Sequence, residues 1–161
     1  MLSTQNQVSL REITAETVRA VMQLAVSDDQ NRFVAPNAWS LGQALFSPEA
    51  WYRAIYCEEE PVGFVMLSDQ SRVVPVLEDP KVEVWRFMVD AKHQHKGIGR
   101  AAMRLVIEHV RRAGLFRELG ISYVPGEGSP EQFYRSLGFR PTGEVEDGEI
   151  VMMLSLGNDD D

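Results

Sequence analysis

One cysteine, Cys57, stands in 161 residues. No internal disulfide is open to such a chain, and no thiolate metal cage can be built from it. That usage fits a reducing compartment. Histidine is scarce too, with three copies; His93 and His95 form an H-x-H without the carboxylates or third histidine that a metal centre needs, so no metal is expected. No apolar run approaches the ~20 residues of a membrane span. "MLSTQNQVSL" lacks the basic and apolar regions of a signal peptide, so the expected location is the cytoplasm. Positive charge is short: the formal net charge is −8. Such a balance argues against nucleic acid or an anionic membrane as partner and suits a cationic one, such as an amine.

What is present is globular: hydrophobic residues make up 44% of the chain, enough for one domain over 1–156, followed by a frayed acidic tail over 157–161. Val8–Thr14 alternates as a strand, and the following segment places Val18, Val21, Met22 and Ala25 at helical spacing. Residues Ser27–Ser40 read as a long loop of the kind that often carries function. A short helix then starts with Ser40 as its cap. Tyr52–Cys57 and Val62–Ser68 form a hairpin, Pro75 interrupts an irregular stretch, and Val82–Val89 is a strand. Gly97–Ala113 is a helix closed by Gly114. Arg117–Val124 is a strand. "SPEQFYRSLG" predicts a helix with Ser129 as cap, Pro130 at its first position and Gln132 closing a capping box. Two last strands flank Asp147–Gly148, a two-residue hairpin signal. The order implies one α/β domain: a mixed, largely antiparallel sheet of six to seven strands with helices on both faces.

The stretch "HQHKGIGRAAM" (His93–Met103) joins a strand to a helix through two glycines. A P-loop is excluded, since Lys96 precedes the glycines and no Ser or Thr follows. A dinucleotide turn fits Gly97, Gly99 and Ala102 as letters but not in context: Ala91–Lys96 separate the strand from the first glycine, and too few strands follow. The remaining pattern is Q-x-x-G-x-G, Gln94 to Gly99. It sets backbone N–H groups at the positive end of a helix, with Lys96 and Arg100 adding charge. Phosphate binding is the favoured reading.

"FMVDAKHQHKGIGRAAM" together with "PEQFYRSLGF" resembles the GNAT superfamily of N-acetyltransferases, over the chain from Tyr52 to Leu156. The resemblance implies acetyl-CoA as the acetyl donor. Gln94, His95, Lys96, Gly97, Ile98, Gly99, Arg100 and Ala101 then correspond to the pyrophosphate loop, and Phe87, Met88 and Val89 to the strand whose backbone holds the pantetheine arm. It also implies that Tyr134 points at the sulfur and acts as general acid. The chain departs from the pattern at Glu127, where many members carry asparagine, and at Pro130, where alanine is usual. Ser129 either contacts the cofactor or only caps its helix.

Acetyl transfer needs a neutral amine, whose free pKa is about 10.4, and therefore a base. Glu83 occupies the strand where some members carry a catalytic glutamate, and strict alternation would group Glu83, Trp85 and Phe87 on one face. A solvated strand glutamate is the competing reading, and Asp28, Asp29, Glu78 and Asp79 are rival bases. "DQNRFVAPNAWSLGQA" is similar to a segment of bacterial spermine/spermidine N-acetyltransferases. This resemblance implies a polyamine or similar small amine, held by Asp28, Asp29, Phe33, Trp39 and Trp85; the aromatics serve equally as plugs packing the loop on the sheet. A protein amine, an aminoglycoside or a non-catalytic acyl-CoA-sensing role are the alternatives. The strand "EIVMMLSL" is either interior or the contact of a homodimer.

Overall fold

A computed structural model describes residues 7–28, 30 and 34–157. Seven strands, β1 (Val8–Arg11), β2 (Ala50–Cys57), β3 (Glu60–Asp69), β4 (Val82–Val89), β5 (Glu118–Tyr123), β6 (Arg140–Glu146) and β7 (Glu149–Ser155), form one sheet. Their order is β1-β2-β3-β4-β5-β7-β6. Every neighbouring pair is antiparallel except β4 and β5, which run parallel. A parallel pair needs a crossover, and α3 (Ile98–Ala113) supplies it. The expected mixed, mostly antiparallel α/β architecture is the one observed.

The strands are two-faced, and their buried side chains sort into two clusters. Trp51, Ile55, Val65 and Leu67 pack with Ile98, Ala102, Met103, Val106 and Val110 of α3 and with Tyr134 of α4 (Glu131–Ser136). Ala54, Tyr56, Phe64 and Met66 pack with Val21 of α1 (Val18–Gln23) and, less deeply, Leu41 of α2 (Asn37–Ala44). Helices thus cover both faces. The 3.6-residue period of α3 presents one apolar stripe to the sheet. Gly114, at φ 67, ends that helix by donating its N–H to Arg111 O. Asp147 and Gly148, at φ 50 and 81, make the tight β6–β7 turn that their pairing predicts.

Three local expectations are corrected. α2 begins at Asn37, not Ser40, because the Asn37 amide is buried and donates to Val21 O at 2.9 Å, fixing the helix start on α1. Ser40 is then a fully buried residue inside the helix. Ser129 does not cap α4. Pro130 takes the cap position, since its carbonyl accepts from Tyr134 N at 3.0 Å, and no side chain caps the helix. Finally, β4 does not alternate strictly. Arg86 pairs with Met66 and Val84 with Leu67, which leaves Trp85 as an extra residue in a bulge. Val82, Val84, Phe87 and Val89 therefore join the α3 face, whereas Trp85 and Met88 pack on the α1 and α2 face. Phe87 does not share a face with Trp85.

Two glycines give opposite expectations for stability. A Cβ at Gly63 would lie 2.4 Å from Met88 O, so Gly63→Ala forces β3 and β4 apart and costs about 1–3 kcal/mol. Gly42, inside α2, has no atom within 4 Å of such a Cβ, so Gly42→Ala stabilises by about 0.5–1 kcal/mol. Urea midpoints of the two variants, read against the wild type, should move in opposite directions.

Candidate active site

β4 and β5 are paired at only two positions, Glu83 with Gly120 and Val84 with Ile121. A Cβ on Gly120 would lie 3.3 Å from the Glu83 Cβ, so glycine lets the strands meet there. Beyond Val84 they part. β5 stays paired with β7 through Tyr123, while β4 keeps only β3 as a neighbour along Arg86–Val89. Its other edge, with its N–H and C=O groups, faces a cleft of about 1120 Å³. The bulge at Trp85 gives that cleft two sides: Phe87 and Val89 look toward α3 and α4, and Trp85 and Met88 toward α1 and α2.

On the α3 side lies the glycine loop. A short turn over Ala91–His93 leads from β4 into it. Gln94 fixes its start, with Nε2 donating to Val89 O at 2.9 Å and to Gln30 Oε1 at 2.8 Å. Asp90 accepts from Ala25 N at 2.9 Å, so the segment after α1 is tied to the same loop. His95 and Gly97 hold left-handed backbone at φ 63 and 81. For His95 that is a strained choice. α3 then starts, with no side-chain cap, and its first internal bond runs from Ala101 N to Gly97 O. The N–H groups before Ala101 are the unsatisfied donors of a helix start, at the positive end of its dipole. A Cβ at Gly99 would meet only Phe133, Val89 and Phe87, at 3.6–3.9 Å. Nothing within the protein demands glycine there, but a phosphate approaching the main chain would. The residues therefore fit a diphosphate group.

Tyr134 lines the same cleft from α4, 8% exposed, with the Phe133, Phe139 and Tyr123 rings 5.8, 6.0 and 6.4 Å away. Its hydroxyl makes no hydrogen bond among the described residues, and it is not sealed from solvent. Burial, then the carboxylate of Glu149, pushes its pKa well up. The side chain stays a phenol at neutral pH and can donate a proton.

The other side is acidic. Glu83 from β4 and Glu146, Asp147 and Glu149 from the β6–β7 hairpin line the cleft. The Glu83 side chain is open to solvent yet flanked by cleft walls. That partial burial raises its carboxyl pKa, and Glu146 and Glu149 raise it further. The cation here is Arg86, turned toward its own sheet and α2: it donates to Trp85 O at 2.9 Å and Gln43 Oε1 at 3.3 Å.

Of the residues singled out from sequence, Glu83, Trp85, Phe87, Met88, Val89, Gln94, His95, Gly97, Gly99, Arg100, Ser129 and Tyr134 line one cleft. Ile98 and Ala101 do not: their side chains are buried in the core, and only their backbone is at the loop. Lys96 is exposed beside the cleft without lining it. Trp39 is 65% exposed on α2 and Asp28 lies on the surface, neither among the cleft walls. Asp29 and Phe33 fall outside the described residues. The long loop does wall the cleft, through Val26, Gln30, Val34, Ala35 and Pro36. Sequence reasoning missed the hairpin carboxylates, because "EVEDGEI" carries a turn signal and nothing that aims it at a distant strand.

The gap thus brings together a parted sheet, an uncapped helix start, a phenol and carboxylates. The chain belongs to the Acetyltransferase (GNAT) family, whose model matches residues 17–139. It is 24% identical over 150 residues to a spermine/spermidine N(1)-acetyltransferase of Bacillus subtilis (strain 168), covering 92% of this chain and 99% of that one. The fold matches the PaiA N-acetyltransferase from Thermoplasma acidophilum in complex with coenzyme A at a TM-score of 0.66, with 14% identity over 92% of this chain and 98% of that one. It also matches a GNAT family acetyltransferase from Elizabethkingia anophelis with acetyl-CoA bound, at a TM-score of 0.61 and 19% identity over 93% and 99% of the two chains.

The electrostatics of the gap are open to direct measurement. Glu146 raises the Glu83 pKa, so removing that negative charge must lower it. In Glu146→Gln, the Glu83 carboxyl carbon followed by NMR should titrate at lower pH than in the wild type. The difference should shrink in high salt.

Proposed function

We propose that this protein transfers the acetyl group of acetyl-CoA to a primary amine, and that the amine is a polyamine such as spermidine or spermine. The observation that carries the reading is the two-sided cleft at the parted strands, with a diphosphate cradle on one side and four carboxylates on the other. The resemblance to the Bacillus subtilis enzyme supports the acceptor. A flexible polycation gains from several carboxylates at once, and Trp85 offers an aromatic face to its methylenes and ammonium groups.

The chain's own groups divide the work. Backbone N–H groups at Gly97–Arg100 hold the donor's diphosphate, and the open edge of β4 orders its pantetheine arm. Glu83, with its raised pKa, takes a proton from the incoming ammonium, directly or through water. The neutral nitrogen attacks the thioester carbon; the C–N bond forms, the nitrogen gives its second proton to solvent, and the C–S bond breaks. A backbone N–H on the free β4 edge stabilises the oxygen that becomes negative between those events. Tyr134 donates its proton to the departing thiolate and regains one from the base through solvent. No residue is acylated on this route, and Cys57 takes no part in it.

An amine panel tests the reading. Coenzyme A release from acetyl-CoA should be fastest with spermine or spermidine, slower with a lysine peptide and slowest with an aminoglycoside. Turnover of the peptide or the aminoglycoside alone would reassign the acceptor. No turnover with any amine, despite tight acetyl-CoA binding, would make the protein a sensor. Tyr134→Phe should lower kcat about 100-fold while acetyl-CoA affinity stays within about threefold. An unchanged kcat would remove Tyr134 from the acid role.

A further inference from the structure

The segment between α1 and α2 walls the cleft through Val26, Gln30, Val34, Ala35 and Pro36. Three hydrogen-bonded ties run from it to the stretch Met88–Gln94, which carries the end of the open β4 edge and leads into the glycine loop. At its start, Ala25 N donates to Asp90 Oδ1 and Ala91 N donates to Ala25 O, both at 2.9 Å. At its far end, the buried Asn37 amide donates to Met88 Sδ at 3.6 Å as well as to Val21 O. Between them, Gln94 Nε2 donates to Gln30 Oε1 at 2.8 Å. This middle tie differs from the other two. A side-chain amide has two N–H donors, and Gln94 commits its second to Val89 O at 2.9 Å. Its side chain therefore cannot move without releasing either β4 or Gln30. Gln94 also leads directly into the cradle, through His95 and Gly97 in left-handed backbone.

A diphosphate held by the N–H groups at residues 97–100 restricts the loop it sits on. Restriction at one end of a hydrogen-bonded connection lowers the entropic cost of order at the other. We propose that the Gln30–Gln94 bond makes the acceptor wall respond to the donor. Coenzyme A in the cradle holds Gln94, Gln94 holds Gln30, and the wall from Val34 to the start of α2 is firmer when the amine arrives. Gln30 is a positioning residue on this account, acting through Gln94 rather than on the donor. By linkage, the amine returns the same factor to donor affinity. Gln30 suits this work better than Asn37. Gln30 is half-buried at the cleft, whereas Asn37 is 2% exposed and fixes α2 on α1 whether or not the cleft is occupied. The inference rests on acetyl-CoA being the donor, but not on which amine accepts.

Hydrogen exchange at the start of α2 tests the coupling without turnover and without an amine. Trp39 N and Ser40 N both donate to Pro36 O, at 3.0 and 3.2 Å, so their exchange reports opening of that helix start. Saturating coenzyme A, with binding checked by calorimetry, should slow it about fivefold in the wild type. Gln30→Met keeps the length of the side chain and loses the accepting oxygen, so the slowing should vanish. Gln30→Glu keeps an accepting oxygen, so the slowing should return. No slowing in the wild type with coenzyme A bound, slowing that survives Gln30→Met, or its loss in Gln30→Glu as well would overturn the coupling and leave the acetyltransferase reading standing. A wild type that does not bind coenzyme A would overturn both.

Discussion

Everything in this site follows from two strands that agree to pair for two residues and then separate. β4 and β5 meet at Glu83–Gly120 and Val84–Ile121, and an unpaired strand edge inside a folded protein is a cost that something must offset. Here the cost creates the function. The open edge of β4 supplies hydrogen-bonding backbone at the centre of the molecule, and the crossover helix between the same two strands brings its N-terminus beside it. The bulge at Trp85 adds the second element. By inserting one residue it turns Phe87 and Val89 toward α3 and leaves Trp85 toward α1 and α2, so the gap opens to both faces of the sheet.

The charges follow the same division. The α3 side collects helix-dipole donors and Arg100. The opposite side collects Glu83, Glu146, Asp147 and Glu149. Under the proposed function, a diphosphate and a polycation would each find complementary charge on its own side and be repelled from the other. Tyr134 sits between them, kept protonated by burial and by Glu149.

Much of this was legible in the sequence where the signal is local. The span Val82–Val89, the Gly97–Gly99 loop, the α3 stripe ending at Gly114 and the Asp147–Gly148 turn all follow from periodicity or from backbone conformations glycine supplies. What escaped depends on contacts between distant segments. The bulge at Trp85 is set by β3 register, the start of α2 by an Asn37 amide reaching Val21, and the cap of α4 by where the Pro130 carbonyl points. The acidic hairpin lies beyond the matched family region, which ends at residue 139, and it meets Glu83 only because β7 inserts beside β5. Trp39 shows the reverse error: an aromatic in a promising segment, placed by its helix on the outside.

The central claim is that the free edge of β4 and the start of α3 form the donor site. Hydrogen exchange measured with and without coenzyme A tests it most directly, since it reads those backbone N–H groups themselves. Binding should slow exchange at residues 86–89 of β4 and 97–100 of the loop, and leave the β1–β2 pair unchanged. Protection confined to other parts of the sheet, with those two segments exchanging as before, would contradict the account.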